Sequence, residues 1–302
     1  MTGPQQGVLA VLASCTVWGL SPLYYKALSD VAPLEVLSHR TLWSLFIFGG
    51  VLLVQGQGRA LITLLRGPQA GRMALGALMI SANWYTYINA IQTGHGVQAS
   101  LGYYIFPLVA VVIGALAFGE RLSRGQTVAV GLAGLAVAVL TIGLGVAPWV
   151  ALVLALTFGV YGMVKKQLNA APVVSVTAEV LILAPLAVAW LAHLPGGGQF
   201  SQSLKTSLLL AFSGVITAVP LMLFSYASRR VSMATFGLAQ YLNPTLQFLC
   251  ATLVFAEPFS RWHLAAFTLI WAALALYSFE ALRQDRARKT ASRAGTSATT
   301  LT

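Results

Sequence analysis

The sequence predicts an all-α polytopic membrane protein, with ten transmembrane helices arranged as two inverted-topology five-helix repeats. Three observations carry that prediction. The composition is apolar from end to end, the apolar runs are unbroken over about 20 residues each, and a short polar motif recurs 137 residues after its first appearance.

The composition comes first. The 302 residues are 58% hydrophobic and 8% charged, against about 25% charged in soluble domains. A mean hydropathy of +0.79 over the whole length excludes a soluble domain on a single anchor. An outer-membrane barrel would show alternating segments of about ten residues, and the runs here are continuous. The net charge of +11 is spread over short loops, which fits membrane insertion and implies no nucleic-acid partner. Cys15 and Cys250 both lie inside apolar runs, where a disulfide framework is not expected. The "LASC" stretch lacks the basic leader and apolar core of a lipoprotein signal, so Cys15 reads as a small packing residue.

The apolar runs come next. They fall at 7–25, 34–55, 72–91, 97–118, 124–143, 147–165, 174–193, 206–226, 233–256 and 261–281. The longest connections, 56–71 and 194–205, contain Gly and Pro. After residue 282 a basic, Ser/Thr-rich tail (283–302) is expected to be disordered and cytoplasmic. With the N-terminus in the cytoplasm, the inner loops and tail carry Arg59, Arg66, Arg72, Arg121, Arg124, Lys165, Lys166, Arg229, Arg230, Arg283, Arg286, Arg288, Lys289 and Arg293. The outer loops carry Lys26, Lys205 and Arg261, and Arg40 lies inside the second span. Fourteen cations against three is a positive-inside asymmetry that puts both termini in the cytoplasm.

The recurrence completes the prediction. "FGERLSR" (118–124) returns as "FAEPFSR" (255–261), placing Glu120 on Glu257, Ser123 on Ser260 and Arg124 on Arg261, with Pro107 on Pro244 in the same register. Near the start of each half the better offset is 140, which matches Gly19 with Gly159 and Lys26 with Lys166. Spans one to five (residues 1–145) thus correspond to spans six to ten (146–282). Because five is odd, the second copy enters the membrane inverted, an architecture suited to alternating access around a midplane site. Within the motif, Ser123 has the capping-box spacing to Gln126. Glu120 with Arg124, and Glu257 with Arg261 beside Ser260, read as structural clips at opposite faces.

The order of "WGLSPLYYK" (18–26), "EVLSHRTLWS" (35–44), "ASLGYYIFPL" (99–108), "FGERLS" (118–123), "YGMVKK" (161–166), "AEVLILAP" (178–185), "TAVPL" (217–221) and "QYLNPT" (240–245) resembles the EamA family of the drug/metabolite transporter superfamily, in its RarD-type branch. The likeness covers essentially the whole chain. It implies an EamA domain in each half, residence in the bacterial inner membrane, efflux of small metabolites or drugs, and a loose link to chloramphenicol. Phe106, Gln98 and Ala256-Glu257-Pro258 depart from the pattern expected of that family.

Ionisable groups inside a bilayer are costly and mark functional candidates. Glu35 and His39, four residues apart on one helical face, form with Arg40 a candidate gate or proton-responsive group. Glu179, aligned with His39 at offset 140, is a carboxylate among apolar neighbours and needs a partner or a proton. An amphipathic solute would suit a lining of aromatic and amide groups. The candidates are Trp18 and Tyr24 in span one; Asn83, Trp84, Tyr87, Asn89 and Gln92 in span three; Tyr103 and Tyr104 in span four; Tyr161 in span six; and Gln240, Tyr241 and Asn243 in span nine. The same residue types also serve as interface belts and helix glue. Pro107 and Pro244 are the candidate hinges.

No Walker loop, nucleophile elbow, HExxH or paired-cysteine site is present, so no enzyme, metal or cofactor is expected. A secondary transporter moving small organic solutes, some amino-acid-like, fits these features. A membrane-embedded enzyme acting on lipids would need clustered Asp, His or Glu at one face, and a passive channel would need a polar stripe along whole helices. The expected partners are a small-molecule substrate and the bilayer. One chain can enclose a cavity, so a monomer suffices, with a homodimer left open.

Overall fold

The computed structural model describes residues 3–119 and 122–299, and among them every regular element is helical. In chain order these are α1 (Gly3–Lys26), α2 (Pro33–Val54), α3 (Gly58–Arg66), α4 (Ala70–Gln92), α5 (Gly96–Phe118), α6 (Arg124–Leu144), α7 (Trp149–Gln167), α8 (Pro172–His193), α9 (Leu204–Ser228), α10 (Met233–Gln240), α11 (Leu242–Leu249) and α12 (Arg261–Thr299). A 3-10 turn at Pro195–Gly197 and a π-helical segment at Cys250–Val254 complete the set. Eight helices, α1, α2, α5 to α9 and α12, are long and apolar enough to cross a bilayer. The protein is an all-helical polytopic membrane protein.

Local chemistry sets the helix ends. Pro33 and Pro172 stand in the first turns of α2 and α8, where proline's missing N–H costs nothing. Gly119 and Gly145 close α5 and α6 at φ of 65° and 69°, left-handed conformations that glycine adopts without strain. Ser123 opens α6 with a capping box: its hydroxyl accepts the Gln126 amide, and the Gln126 side chain accepts the Ser123 amide.

Three features differ from the sequence reading. The ninth run is broken, with α10 ending at Gln240, α11 starting at Leu242, and a π-helical segment following. Pro244 sits in the first turn of α11, where the break leaves no interior hydrogen bond for it to disrupt. Its counterpart Pro107 lies inside unbroken α5, so only one of the two candidate hinges coincides with a break. The connection at 56–71 contains the short helix α3. Finally, α12 continues to Thr299, past residue 282 where a disordered tail was expected. No proline interrupts that stretch, and its Ala and Arg residues are good helix formers.

The packing partners form a compact set. α5 lies on α7, α4 on α7, and α6 on α12; α2 lies on α8 and α9; α1 lies on α9 and α11; and α11 reaches α5. Two glycines permit close approach at helix crossings. A Cβ at Gly19 would come within 2.7 Å of Leu246 Cβ, and one at Gly159 within 2.8 Å of Ile113 Cδ1 and 3.3 Å of Val109 Cγ1. The outer surfaces of α6 and α12 expose Val128, Leu135, Ile142, Leu264, Trp271 and Phe279, an apolar belt suited to lipid. Cys15 is buried in the small core between α1, α9 and α10.

Candidate functional site

Asn83 is the polar hub where α4, α5 and α7 meet. It is 1% exposed. Its amide donates to the Leu154 carbonyl and to Thr157 Oγ1, both at 3.0 Å, and its Oδ1 accepts the Tyr103 hydroxyl at 2.9 Å. Its amide nitrogen and its carbonyl oxygen are therefore both partnered within the protein, as a buried amide requires. Tyr87, one turn on, shares a 3.1 Å hydrogen bond with Ser21 of α1.

Around this hub runs a continuous aromatic path. Tyr25 meets Tyr87 edge-on at 5.8 Å, Tyr87 meets Tyr103 at 5.7 Å, and Tyr103 meets Phe158 at 5.9 Å. Phe158 then stacks on Tyr161 at 5.9 Å and contacts Phe106 at 4.8 Å. These are the T-shaped and offset arrangements that ring quadrupoles favour. An ionisable group stands at each end of the path.

At one end the expected Glu35–His39 pair does not form. Glu35 is buried, and its Oε1 accepts the Gln199 amide in the connection between α8 and α9. His39 stacks on Phe200 at 4.8 Å, and its Nε2 has no partner. The two side chains share a helical face but are drawn to different residues of the same connection, one to a backbone amide and the other to an aromatic ring. Arg40 turns instead towards α1 and α4. Its Nη1 donates to the Tyr25 hydroxyl at 2.8 Å, and its guanidinium lies 4.0 Å from the centre of the Trp84 ring.

At the other end Glu179, 1% exposed, is paired. Lys165 Nζ lies 2.7 Å from Oε1, and the Tyr161 hydroxyl donates to Oε2 at 3.1 Å. Lys165 also donates to Ser175 Oγ. The sequence reading placed Lys165 among loop cations, whereas the structure puts it in the last turn of α7 with its ammonium turned to α8. Spacing held the missed signal, because Tyr25 and Lys165 are 140 residues apart, the offset that aligns His39 with Glu179.

The remaining candidates are scattered. Trp18 packs on Phe224 at 5.5 Å, the Tyr24 hydroxyl donates to the Leu209 carbonyl at 2.6 Å, and Tyr104 shares a 2.7 Å hydrogen bond with Thr245. Asn243 accepts from Gln247 within α11. Gln92 donates to the Leu28 and Val31 carbonyls, tying α4 to the turn after α1. Asn89, Gln240 and Tyr241 are partly buried and do not join the hub.

The second clip is corrected. Glu257 does not reach Arg261; both its oxygens accept backbone amides at the start of α5, Oε1 from Gly96 and Oε2 from Val97, each at 2.8 Å. A helix N-terminus offers free N–H groups and positive potential, a better site for a carboxylate than an exposed arginine. Arg261 lies over the Trp262 ring at 5.1 Å, and Ser260 hydrogen-bonds His263 Nδ1 at 3.0 Å. In the first clip Arg124 is exposed, while Glu120 lies outside the described residues. Among the described residues, no three His, Cys, Asp or Glu side chains gather to hold a metal ion.

Comparison with known proteins gives a consistent result. The EamA-like transporter family matches the chain twice, over residues 5–142 and 146–279. Protein RarD of Streptomyces exfoliatus is 43% identical over 93% of this chain and 90% of its own. An uncharacterized transporter of Pseudomonas aeruginosa is 42% identical over 93% and 96%, and Protein RarD of Escherichia coli K12 is 37% identical over 93% and 97%. A crystal structure at 20% identity superposes with a TM-score of 0.60 over 89% of this chain and 96% of that one, a likeness of fold. The chain belongs to the EamA-like transporter family, among its RarD-type members, and is a multi-pass membrane transporter.

Proposed function

We propose that this transporter is a secondary exporter of small organic metabolites or drugs in the bacterial inner membrane. It works by alternating access between two inverted five-helix halves, residues 1–145 and 146–282, with α4 as the third span and the α10–α11 segment as the ninth beside the eight apolar ones. Gradient coupling or exchange drives it, and it performs no catalysis. Both termini lie in the cytoplasm, as the distribution of cations favours.

One observation carries this reading: several helix contacts recur when the halves are exchanged. α1 against α11 corresponds to α7 against α5, α1 against α9 to α7 against α4, and α2 against α9 to α8 against α4. The match extends to single residues. Gly19 abuts Leu246, while Gly159 abuts Val109, and both members of each pair align at the repeat offsets of 140 and 137. Two halves that can trade packings supply two nearly isoenergetic states opening to opposite sides. The aromatic path supports a route for amphipathic solutes. The ion pair of Lys165 with Glu179 at its end supports a gate that opens when α7 and α8 part.

Reconstitution into liposomes tests the proposal. A labelled panel of amino acids, aromatic metabolites and drugs should include solutes moved saturably and accelerated by unlabelled solute on the far side. If nothing in the panel is moved and none of it shifts thermal stability, the exporter reading fails.

A further inference from the structure

Among the described residues, Arg40 is a buried cation with no ion-pair partner. It is 6% exposed and lies seven residues beyond the first residue of α2, about 10 Å along the helix axis. The carboxylates that could neutralise it are committed elsewhere: Glu35 to the Gln199 amide, Glu179 to Lys165, and Glu257 to the start of α5. Asp30 is exposed in the turn after α1. The near contacts of Arg40 are a neutral phenol and the face of an indole. Both attract a guanidinium, and neither cancels its charge. A lone desolvated charge is expensive, and within a membrane span such a group marks a functional site by default.

The geometry also shows which edge is free. Tyr25 occupies Nη1, and Nε has no hydrogen-bond partner. The edge formed by Nε and Nη2 is one of the guanidinium faces that hold a carboxylate through two parallel hydrogen bonds. Tyr25 accepts from Arg40, so its own hydroxyl proton remains to donate to the same anion. The half-buried ring of Trp84 lies against this guanidinium, and Tyr25 begins the aromatic path that continues through Tyr87 to half-buried Tyr103, offering flat apolar area. At the repeat-related position the arrangement differs, because Lys165 stands where Tyr25 would and is neutralised by Glu179. Of the two, the Arg40 end carries unbalanced charge among the described residues.

We propose that Arg40, with Tyr25, Trp84 and Tyr103, is the recognition point for the anionic group of the transported solute, which is a small organic carboxylate with a planar apolar body. This rests on the transport reading above and narrows its substrate class.

Equilibrium binding to the purified protein in detergent tests it without requiring flux. Phenylacetate should raise the thermal unfolding midpoint in a concentration-dependent way, while its neutral isostere phenylacetamide and the cation phenethylamine should not. Arg40→Gln should abolish the response. Arg40→Lys should weaken it at least about tenfold, because an ammonium lacks the planar fork. If Arg40→Gln does not fold, Arg40→Lys and the paired probes on the wild-type protein decide the matter. Equal stabilisation by the amide, a wild-type response in Arg40→Gln, or no response to phenylacetate in the wild type would overturn the proposal. Flux of neutral or cationic solutes by a protein that ignores phenylacetate would defeat this inference and leave the transporter standing. Carboxylate binding with no flux of any solute would do the opposite.

Discussion

Lys165 and Glu179 meet at 2.7 Å across the junction of α7 and α8, with the carboxylate almost wholly buried and the ammonium partly exposed. Removing one partner of such a pair strands a charge, whereas removing both does not. Lys165→Met should therefore cost about 3–5 kcal/mol, and the double variant Lys165→Met with Glu179→Gln should recover most of that loss. A double-mutant cycle by thermal or denaturant unfolding in detergent measures it. Equal losses in the single and double variants would show that the pair is not coupled.

Asn83 concentrates three hydrogen bonds in one buried side chain. Asn83→Ala leaves the Tyr103 hydroxyl without its partner and removes two further bonds, to Leu154 and Thr157, a loss of about 1–3 kcal/mol. Tyr103→Phe removes one bond and should cost about 0.5–1.5 kcal/mol. Unfolding midpoints that rank the two variants in the opposite order would displace Asn83 as the hub.

Glu257 and Arg261 separate cleanly in a stability assay. The carboxylate caps α5 through two charge-assisted bonds, so Glu257→Ala should destabilise by about 1–2 kcal/mol. Arg261→Ala should lie within about 0.5 kcal/mol of wild type. Comparable effects at both positions would restore the ion-pair clip that the repeat motif suggested.

Glycines at the helix crossings make a graded set. Gly19→Ala forces a methyl group against Leu246 Cβ, which cannot swing aside, whereas at Gly159 the nearest atom is the movable tip of Ile113. Overpacking of this kind costs about 1–3 kcal/mol, with Gly19→Ala the worse of the two. Gly162 has open space around its Cα, so Gly162→Ala should be neutral or stabilise by up to about 1 kcal/mol through helix propensity. Unfolding curves for the three variants check the order.

The sequence was a good guide wherever hydropathy or local chemistry decides. Helix positions followed from the apolar runs, and the Ser123 cap from its spacing to Gln126, because both depend on neighbours in the chain. Choice of partner was not legible in the same way. Glu35, His39 and Arg40 are near neighbours on α2, yet one binds a backbone amide and one a phenyl ring of the distant α8–α9 connection, and one an indole of α4. Lys165 looked like an orientation signal, since nothing in its neighbourhood reveals a carboxylate on the next helix. Pro107 and Pro244 occupy equivalent places in the repeat, and only the tertiary break before α11 distinguishes them.

The cap that Glu257 places on α5 also bears on how the molecule is made. Gly96 and Val97 leave the ribosome long before Glu257, which follows α11 in the chain. During synthesis the start of α5 must therefore wait in the translocon or the headgroup layer with water on its amides. It is sealed only when the segment after α11 arrives. Quality control of a truncated product would then act on an unsealed helix end as well as on missing apolar contacts.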